Sequence, residues 1–242
     1  MRTLSLLVVL PLAACSFQSD ASPPSGKESG PSTTRSFAIT DFTTVALRGS
    51  DDVDVRIGTG FSVRATGPRA ELDRLDIVRE GNTLRIDRKQ TPGYGWSGKH
   101  DPVKVFVTMP RIVAAQIVGS GNMAIDRTDG SRFDGTAAGS GNLSIAALVV
   151  PQAKLAIAGS GNIAAAGSVE RLTIESAASG NVAARGLRAR GATVSLVGSG
   201  DVVADVNGAA DVSLVGSGTV DLGKAAHCTT SKVGSGEVRC GG

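Results

Sequence analysis

The 242 residues carry 25 Lys and Arg against 22 Asp and Glu, a formal net charge of +3. That near balance speaks against a dedicated nucleic-acid binder, which presents a clustered basic face. Aromatics make up only 3% of the chain while glycine reaches 32 residues, which suits a narrow, regularly stacked core better than a globular one.

Met1 to Ala14 reads as a targeting segment: Arg2, an apolar run from Leu4 to Leu12, then small residues. It ends in Leu12-Ala13-Ala14-Cys15, which resembles the lipobox of bacterial lipoproteins. The resemblance implies cleavage before Cys15 and acylation of that residue, palmitate included, with Ser16 implying sorting to the outer membrane of a Gram-negative bacterium. An ordinary Ala-x-Ala-like cleavage site is the alternative. Several acyl chains make such an anchor stable. Ser, Pro and Gly dominate from Ser16 to Ser36, with Pro23-Pro24 and Gly30-Pro31, so residues 15–36 are expected to form a flexible tether. No later stretch approaches the length of a membrane-spanning helix.

Between Phe37 and Pro110 the chain alternates apolar and polar residues without a fixed period. The runs are Thr44–Leu47, Val53–Ile57, Phe61–Ala65, Thr83–Ile86 and Val103–Val107, each expected to be a strand with one buried face. Gly49-Ser50-Asp51-Asp52 reads as an eroded copy of a corner that recurs later, and Glu71 to Leu75 as one helical turn. Asp51, Asp52 and Asp54 are the dense acidic cluster of the chain. Asp52 and Asp54 share a strand face, so they are either a converging carboxylate pair or solvated residues opposite inward Val53 and Val55. The Gly-rich stretch Pro92–His100 holds the only Tyr and the only Trp, Tyr94 and Trp96. Exposed aromatics of that kind stack on sugar rings or partner surfaces; otherwise they fold over the open end of the stack.

From residue 111 one register takes over. Gly-Ser-Gly-Asn and its variants begin at Gly119, Gly139, Gly159, Ala178, Gly198, Gly216 and Gly234, with gaps of 20, 20, 19, 20, 18 and 18 residues. A short fixed period means one unit stacked on itself. Counting from the first residue of each copy, the fourth position onward is Met123, Leu143, Ile163, Val182, Val202, Val220 and Val238, and every second position on either side is again mostly apolar. Such columns predict a parallel β-helix with coils of about 18–20 residues, backbone hydrogen bonds running between coils roughly 4.8 Å apart. Each coil reads as strand, Gly-Ser-Gly corner, strand, and a looser corner such as Asp129-Gly130 or Asn207-Gly208. Serine (Ser120, Ser140, Ser160 and onward) fits a tight corner. The second glycine (Gly121, Gly141, Gly161, Gly180) needs positive φ or lacks room for a Cβ. The first position tolerates Ala178 and is expected to be less demanding. Asn122, Asn142, Asn162 and Asn181 are placed to form an amide ladder over successive coils, ending where Asp201, Thr219 and Glu237 replace them.

The last coil carries Lys232 and Thr230 in columns that hold Leu214 and Val212 one coil earlier, as expected where a stack ends in water. Cys228 and Cys240 lie in the same coil. In an oxidising compartment they are expected to join as a disulfide, the alternative being two buried thiols.

In order and spacing, several features resemble one known family. These are Asp41-Phe42 with Val45, Gly49 with Val53-Asp54-Val55, Leu72 with Leu75, Gly81–Ile86, Val103-Lys104-Val105, and the step from Pro110 to Gly119-Ser120-Gly121. The family is the auto-transporter adhesin head GIN domain, and the resemblance covers about residues 37–240. It implies an all-β fold, a single right-handed parallel β-helix over 37–242, with irregular coils at 37–110 and the repeats and cap at 111–242. It also implies adhesion without the catalytic residues of polysaccharide lyases. A chain ending at Gly241-Gly242 is expected to carry no translocator barrel.

No nucleophile elbow, phosphate loop or Cys-x-x-Cys pair occurs, and His100 and His227 stand in no ligand motif, so no cofactor or metal is expected. The spacing after each Asn places Ala124, Ser144, Ala164 and Ala183 where a calcium repeat needs a ligand oxygen. The expected function is that of a non-enzymatic, lipid-anchored envelope protein presenting its β-helix to polysaccharide or protein, with no nucleic-acid partner. The alternative is a carbohydrate-active enzyme of lyase type, or its degenerate relative, using the acidic residues near Asp52.

Overall fold

The computed structural model describes residues 31–89 and 103–241. The targeting segment, Cys15 and most of the tether lie outside the described residues, as does the stretch with Tyr94 and Trp96.

Alternating sequences give alternating burial, and the predicted columns are the core. Met123, Leu143, Ile163, Val182, Val202 and Val220 are each at most 1% exposed, and Ile117, Ala137, Ile157, Leu196 and Leu214 face inward two residues before each corner. Where Gly135 leaves space in this stack, Phe133 fills it and is fully buried. Ser176 interrupts its aliphatic column, and its buried hydroxyl has no hydrogen-bond partner among the described residues.

The strands in chain order are β1 (Ser32–Phe37), β2 (Thr44–Gly49), β3 (Asp52–Ile57) and β4 (Ser62–Pro68), then after the short α1 (Arg69–Asp73) β5 (Leu75–Glu80), β6 (Thr83–Arg88) and β7 (Lys104–Met109). The repeats supply β8 (Ala114–Gly119), β9 (Met123–Ile125), β10 (Arg132–Gly139), β11 (Leu143–Gly159), β12 (Ile163–Ala178) and β13 (Val182–Gly198). They close with β14 (Val202–Val206), β15 (Gly208–Gly216), β16 (Thr219–Gly223), β17 (Ala226–Val233) and β18 (Glu237–Cys240). From β8 onward every pairing is parallel and like pairs with like, for instance Ala137 with Ile117 below and Ile157 above. This is a β-solenoid of about 6 turns.

A coil has one more side than the repeat pattern shows. In β11 the inward residues run Leu143, Ile145, then Leu148, Val150, then Ala153, Leu155, Ile157. The alternation slips at Ala146-Ala147 and again at Pro151-Gln152, where two successive residues face out and the strand turns. The unequal repeat lengths are absorbed at the first of these corners, because the register shifts fall between Ile145 and Leu148, Ala164 and Ala166, Ala184 and Arg188, and Asp221 and Gly223. A residue added there costs one bulge and leaves the core columns aligned.

The amino-terminal coils do not stack in chain order. β2 pairs with β6 on one side and β8 on the other, and β3 lies likewise between β7 and β9, all parallel. The coil made by β6 and β7 therefore sits beneath the one made earlier by β2 and β3. Antiparallel strands finish this end: β5 on β6, then β4 on β7 and β1 on β4. The tether boundary expected at residue 37 is thus too late. Residues 32–36 belong to β1, because their backbone takes up the edge that β4 leaves free, and Thr34 bonds Thr66 at 3.1 Å.

Candidate functional site

The Gly-Ser-Gly-Asn corner is the most regular surface of the chain, so its chemistry comes first. At the four corners from Ser120-Gly121 to Ser179-Gly180 the Ser and second Gly N–H groups both donate to one carbonyl of the coil below; Ser140 and Gly141 reach Gly119 O at 2.9 and 3.0 Å. The next coil lies so close that a Cβ on Gly141 would stand 2.1 Å from Gly121 O, and one on Gly161 the same distance from Gly141 O. This column is glycine for want of space. The first column is no less demanding, contrary to expectation: Gly159 has φ +135°, and its Cβ would meet Gly139 O at 2.4 Å.

The amide ladder forms and runs further than the asparagines. Asn142 Nδ2 donates to Asn122 Oδ1 at 2.8 Å, Asn162 to Asn142 at 2.9 Å and Asn181 to Asn162 at 3.1 Å. Below them Asn122 donates to Asp52 Oδ1 at 2.9 Å. Above them backbone takes over, Asp201 N reaching Asn181 Oδ1 and Thr219 N reaching Asp201 Oδ1, both at 2.9 Å. A carboxylate accepts without donating, so Asp fits where the side chain need only receive, at Asp52 and Asp201. The Oδ1 of each member from Asp52 to Asp201 accepts a bond from the coil above.

The acidic cluster divides in the same way. Asp51 replaces glycine in the tight column and points into the base, only 1% exposed. Arg88 Nε donates to Asp51 Oδ2 at 2.8 Å, and the same guanidinium also bonds Glu71 from α1. Asp51 first, then Glu71, holds the Arg88 pKa well above its usual value. Asp52 starts the ladder, and Asp54 pairs with Lys104 at 2.8 Å. The three carboxylates do not converge.

A different set of residues does. On the outer face where solenoid meets cap, β3, β7, β4 and β1 lie side by side and line a groove of about 340 Å³. Phe106 on β7 stands in register between Asp54 and Arg64, and Thr108 between Arg56 and Ser62. Thr34 and Thr66 close the far side. Phe106 is half-buried, with the Lys104 ammonium 5.5 Å from its ring centre. Arg56 and Arg64 are exposed, and neither has a hydrogen-bond or ion-pair partner among the described residues. With Lys104 offset by Asp54, the groove keeps two unneutralised guanidinium groups beside an aromatic face and three hydroxyls.

Alternation in the sequence predicts β3, β4 and β7 but not β1, and marks none of the groove residues as a site. Phe106 gave a signal: it falls in the outward phase between Val105 and Val107, where a large apolar side chain is out of place. The strand that carries it, β7, is also the one entered by the connection bearing Tyr94 and Trp96. At the other end of the molecule, Cys228 and Cys240 form the expected disulfide. Nearby, hydrogen bonding by Arg185 above all, with help from Gly223 N–H, lowers the pKa of the Asp221 carboxyl from its usual value.

Comparison with known proteins follows this architecture. Residues 41–226 match the family described as "putative auto-transporter adhesin, head GIN domain". A "putative adhesin" from Bacteroides fragilis superposes with a TM-score of 0.79 at 20% identity, over 88% of this chain and 98% of its own. A "putative lipid binding protein" from Parabacteroides distasonis gives 0.69 at 23%, covering 87% and 97%, and a "putative adhesin" from Parabacteroides merdae 0.62 at 18%, covering 87% and 96%. At these identities the likeness is one of fold. No curated protein matches the chain. Among the described residues no helix is long and apolar enough to cross a membrane.

Proposed function

Because this chain belongs to the auto-transporter adhesin head GIN domain family, we propose that it is a non-enzymatic binding module of the cell envelope, anchored by lipid at Cys15 and engaging polysaccharide or protein in an adhesin-like role. The observation that carries this reading is the groove between β3, β7, β4 and β1. It offers unpaired donors and an aromatic surface on a rigid sheet, with no nucleophile beside a base. Binding sites of this kind set a few polar groups around an apolar face. Against the lyase-like alternative stands the dispersal of its candidate acids, Asp51 bonding Arg88, Asp52 bonding Asn122 and Asp54 pairing with Lys104. Acyl chains on Cys15 would place the module on a membrane, the tether leading to β1.

Three measurements test the proposal. Cells expressing the chain are expected to bind polysaccharide-coated or host-protein-coated surfaces above vector controls, and incubation with uronate polymers is expected to release no unsaturated sugar. Cys15→Ser is expected to move the protein from the membrane fraction to the soluble envelope fraction. Continued membrane association would refute the anchor, and unsaturated product would refute the non-enzymatic role.

A further inference from the structure

We infer that the groove holding Arg56, Arg64 and Phe106 is a subsite for the carboxylate-bearing sugars of an acidic polysaccharide. The inference rests on the binding-module reading and names its ligand. It starts from charge. Exposed arginines on strands of this same protein pair with neighbours, Arg185 with Asp221 and Arg239 with Glu237. Arg56 and Arg64 do not, although Asp54 lies on the same face, because Lys104 holds that carboxylate at 2.8 Å. The guanidinium fork matches a carboxylate by paired N–H···O bonds, which an ammonium cannot imitate.

The second element is the aromatic. Phe106 lies between β3 and β4, so a ring laid over it has an arginine on each flank, Arg64 directly across and Arg56 one pair further along. Two strand spacings and one pair repeat put their Cα atoms about 12 Å apart, a separation that the two long side chains can narrow from either side. A pyranose presents a C–H face to an aromatic and hydroxyls at its rim. Thr34, Thr66 and Thr108 supply hydroxyls that donate or accept at the rim of the groove.

The third element is size and overall charge. The groove, at about 340 Å³, matches the small end of ligand pockets and takes a short stretch of glycan. A folded protein partner would need a contact of roughly 800 Å² on each side. An extended nucleic acid would need a basic track, which the formal charge of +3 does not supply.

The test uses the full chain purified in detergent micelles, with immobilised polygalacturonate as probe. Carboxyl-reduced polygalacturonate is the neutral control, and polyglutamate and duplex DNA are the non-sugar polyanions. Polygalacturonate is expected to bind and its carboxyl-reduced form to bind at least ten-fold more weakly. Arg56→Gln and Arg64→Gln are each expected to weaken binding about ten-fold, Arg64→Lys to restore only part, and Phe106→Ala to weaken sugar binding while leaving polyglutamate unchanged. All three positions face outward, and melting temperatures identical to the parent chain will establish that the variants are folded.

Equal binding of the reduced polymer, or an unchanged Arg56→Gln/Arg64→Gln double variant, overturns the inference. So does a Phe106-independent preference for polyglutamate or DNA, which would make the groove a general anion site. If polygalacturonate fails while cells expressing the chain still adhere, the subsite falls and the binding module stands; if adhesion also fails, both fall.

Discussion

Replacing Gly161 by alanine tests whether coil spacing is set by the corner. The new Cβ would sit 2.1 Å from Gly141 O, so relief of the overlap requires the two coils to part by about 1 Å or more. Parting them weakens the two bonds that Ser160 and Gly161 donate to Gly139 O at 2.9 Å each, worth about 1 kcal/mol apiece. Overpacking adds roughly 1–3 kcal/mol, giving a total of about 3–5 kcal/mol. For a domain of this size that lowers the melting temperature on the order of 10 °C. Gly60→Ala is the matched control, since a Cβ there meets nothing within 4 Å. It is expected to change stability by no more than about 1 kcal/mol, in either direction. Thermal denaturation followed by circular dichroism, at one scan rate on oxidised protein, reads both. Melting temperatures for Gly161→Ala and Gly60→Ala within about 2 °C of each other would refute the reasoning, since the corner would then tolerate a methyl group.

Three further outcomes follow from the same geometry. Asn142→Asp sets a carboxylate oxygen against Asn122 Oδ1, where an amide now donates at 2.8 Å; a loss of about 1–2 kcal/mol at neutral pH, recovered partly on acidification, is expected by chemical denaturation, and Asn181→Asp, which removes the donor to Asn162 Oδ1 in the same way, is expected to cost a similar amount. Reducing Cys228–Cys240 reopens a loop with a sequence separation of 12 and is expected to remove about 3 kcal/mol; hydrogen exchange is expected to quicken first in β17 and β18 and leave β11 and β12 protected. The Asp221 carboxyl has a folded-state pKa below its ordinary 3.8, so the unfolded chain takes up its proton first and stability falls as pH drops through and below about 4. Asp221→Asn is expected to flatten that acid limb in pH-dependent melts, and an unchanged limb would show that the Arg185 pairing contributes nothing measurable.

How much of this was legible depends on how far each residue's neighbour is fixed by the period. Leu143 and Ile163 were readable as stacked because one coil repeats the last, and the Asn ladder followed from the same arithmetic. Gly159 was misjudged because Ala178 shares its column: a period reports which residue recurs and does not report φ. The third side of the β11 coil was hidden because Ala146-Ala147 and Pro151-Gln152 turn the strand by a phase slip, without the Gly or Asn that marks a corner. The groove was hidden for a deeper reason. Arg56, Arg64 and Phe106 come from strands with no period, brought together by one parallel and one antiparallel pairing, and alternation fixes which face a residue takes without naming its neighbour.

The displaced order of the first coils bears on how the chain assembles. β2 and β3 precede in the chain every strand they pair with, so each needs a later strand on both of its edges. The first coil is therefore a seed that grows outward in two directions: β6 and β7 close it from beneath, and β8 and β9 begin the ascent. A solenoid begun at a free end would leave a sticky coil behind throughout synthesis, open to pairing with another chain. Here that end is sealed by β4, β5, β6 and β7, before the first full repeat exists. Every later coil adds to a template already complete on its other side, so assembly from β10 onward has one growing tip, and the disulfide of the last coil marks where growth stops.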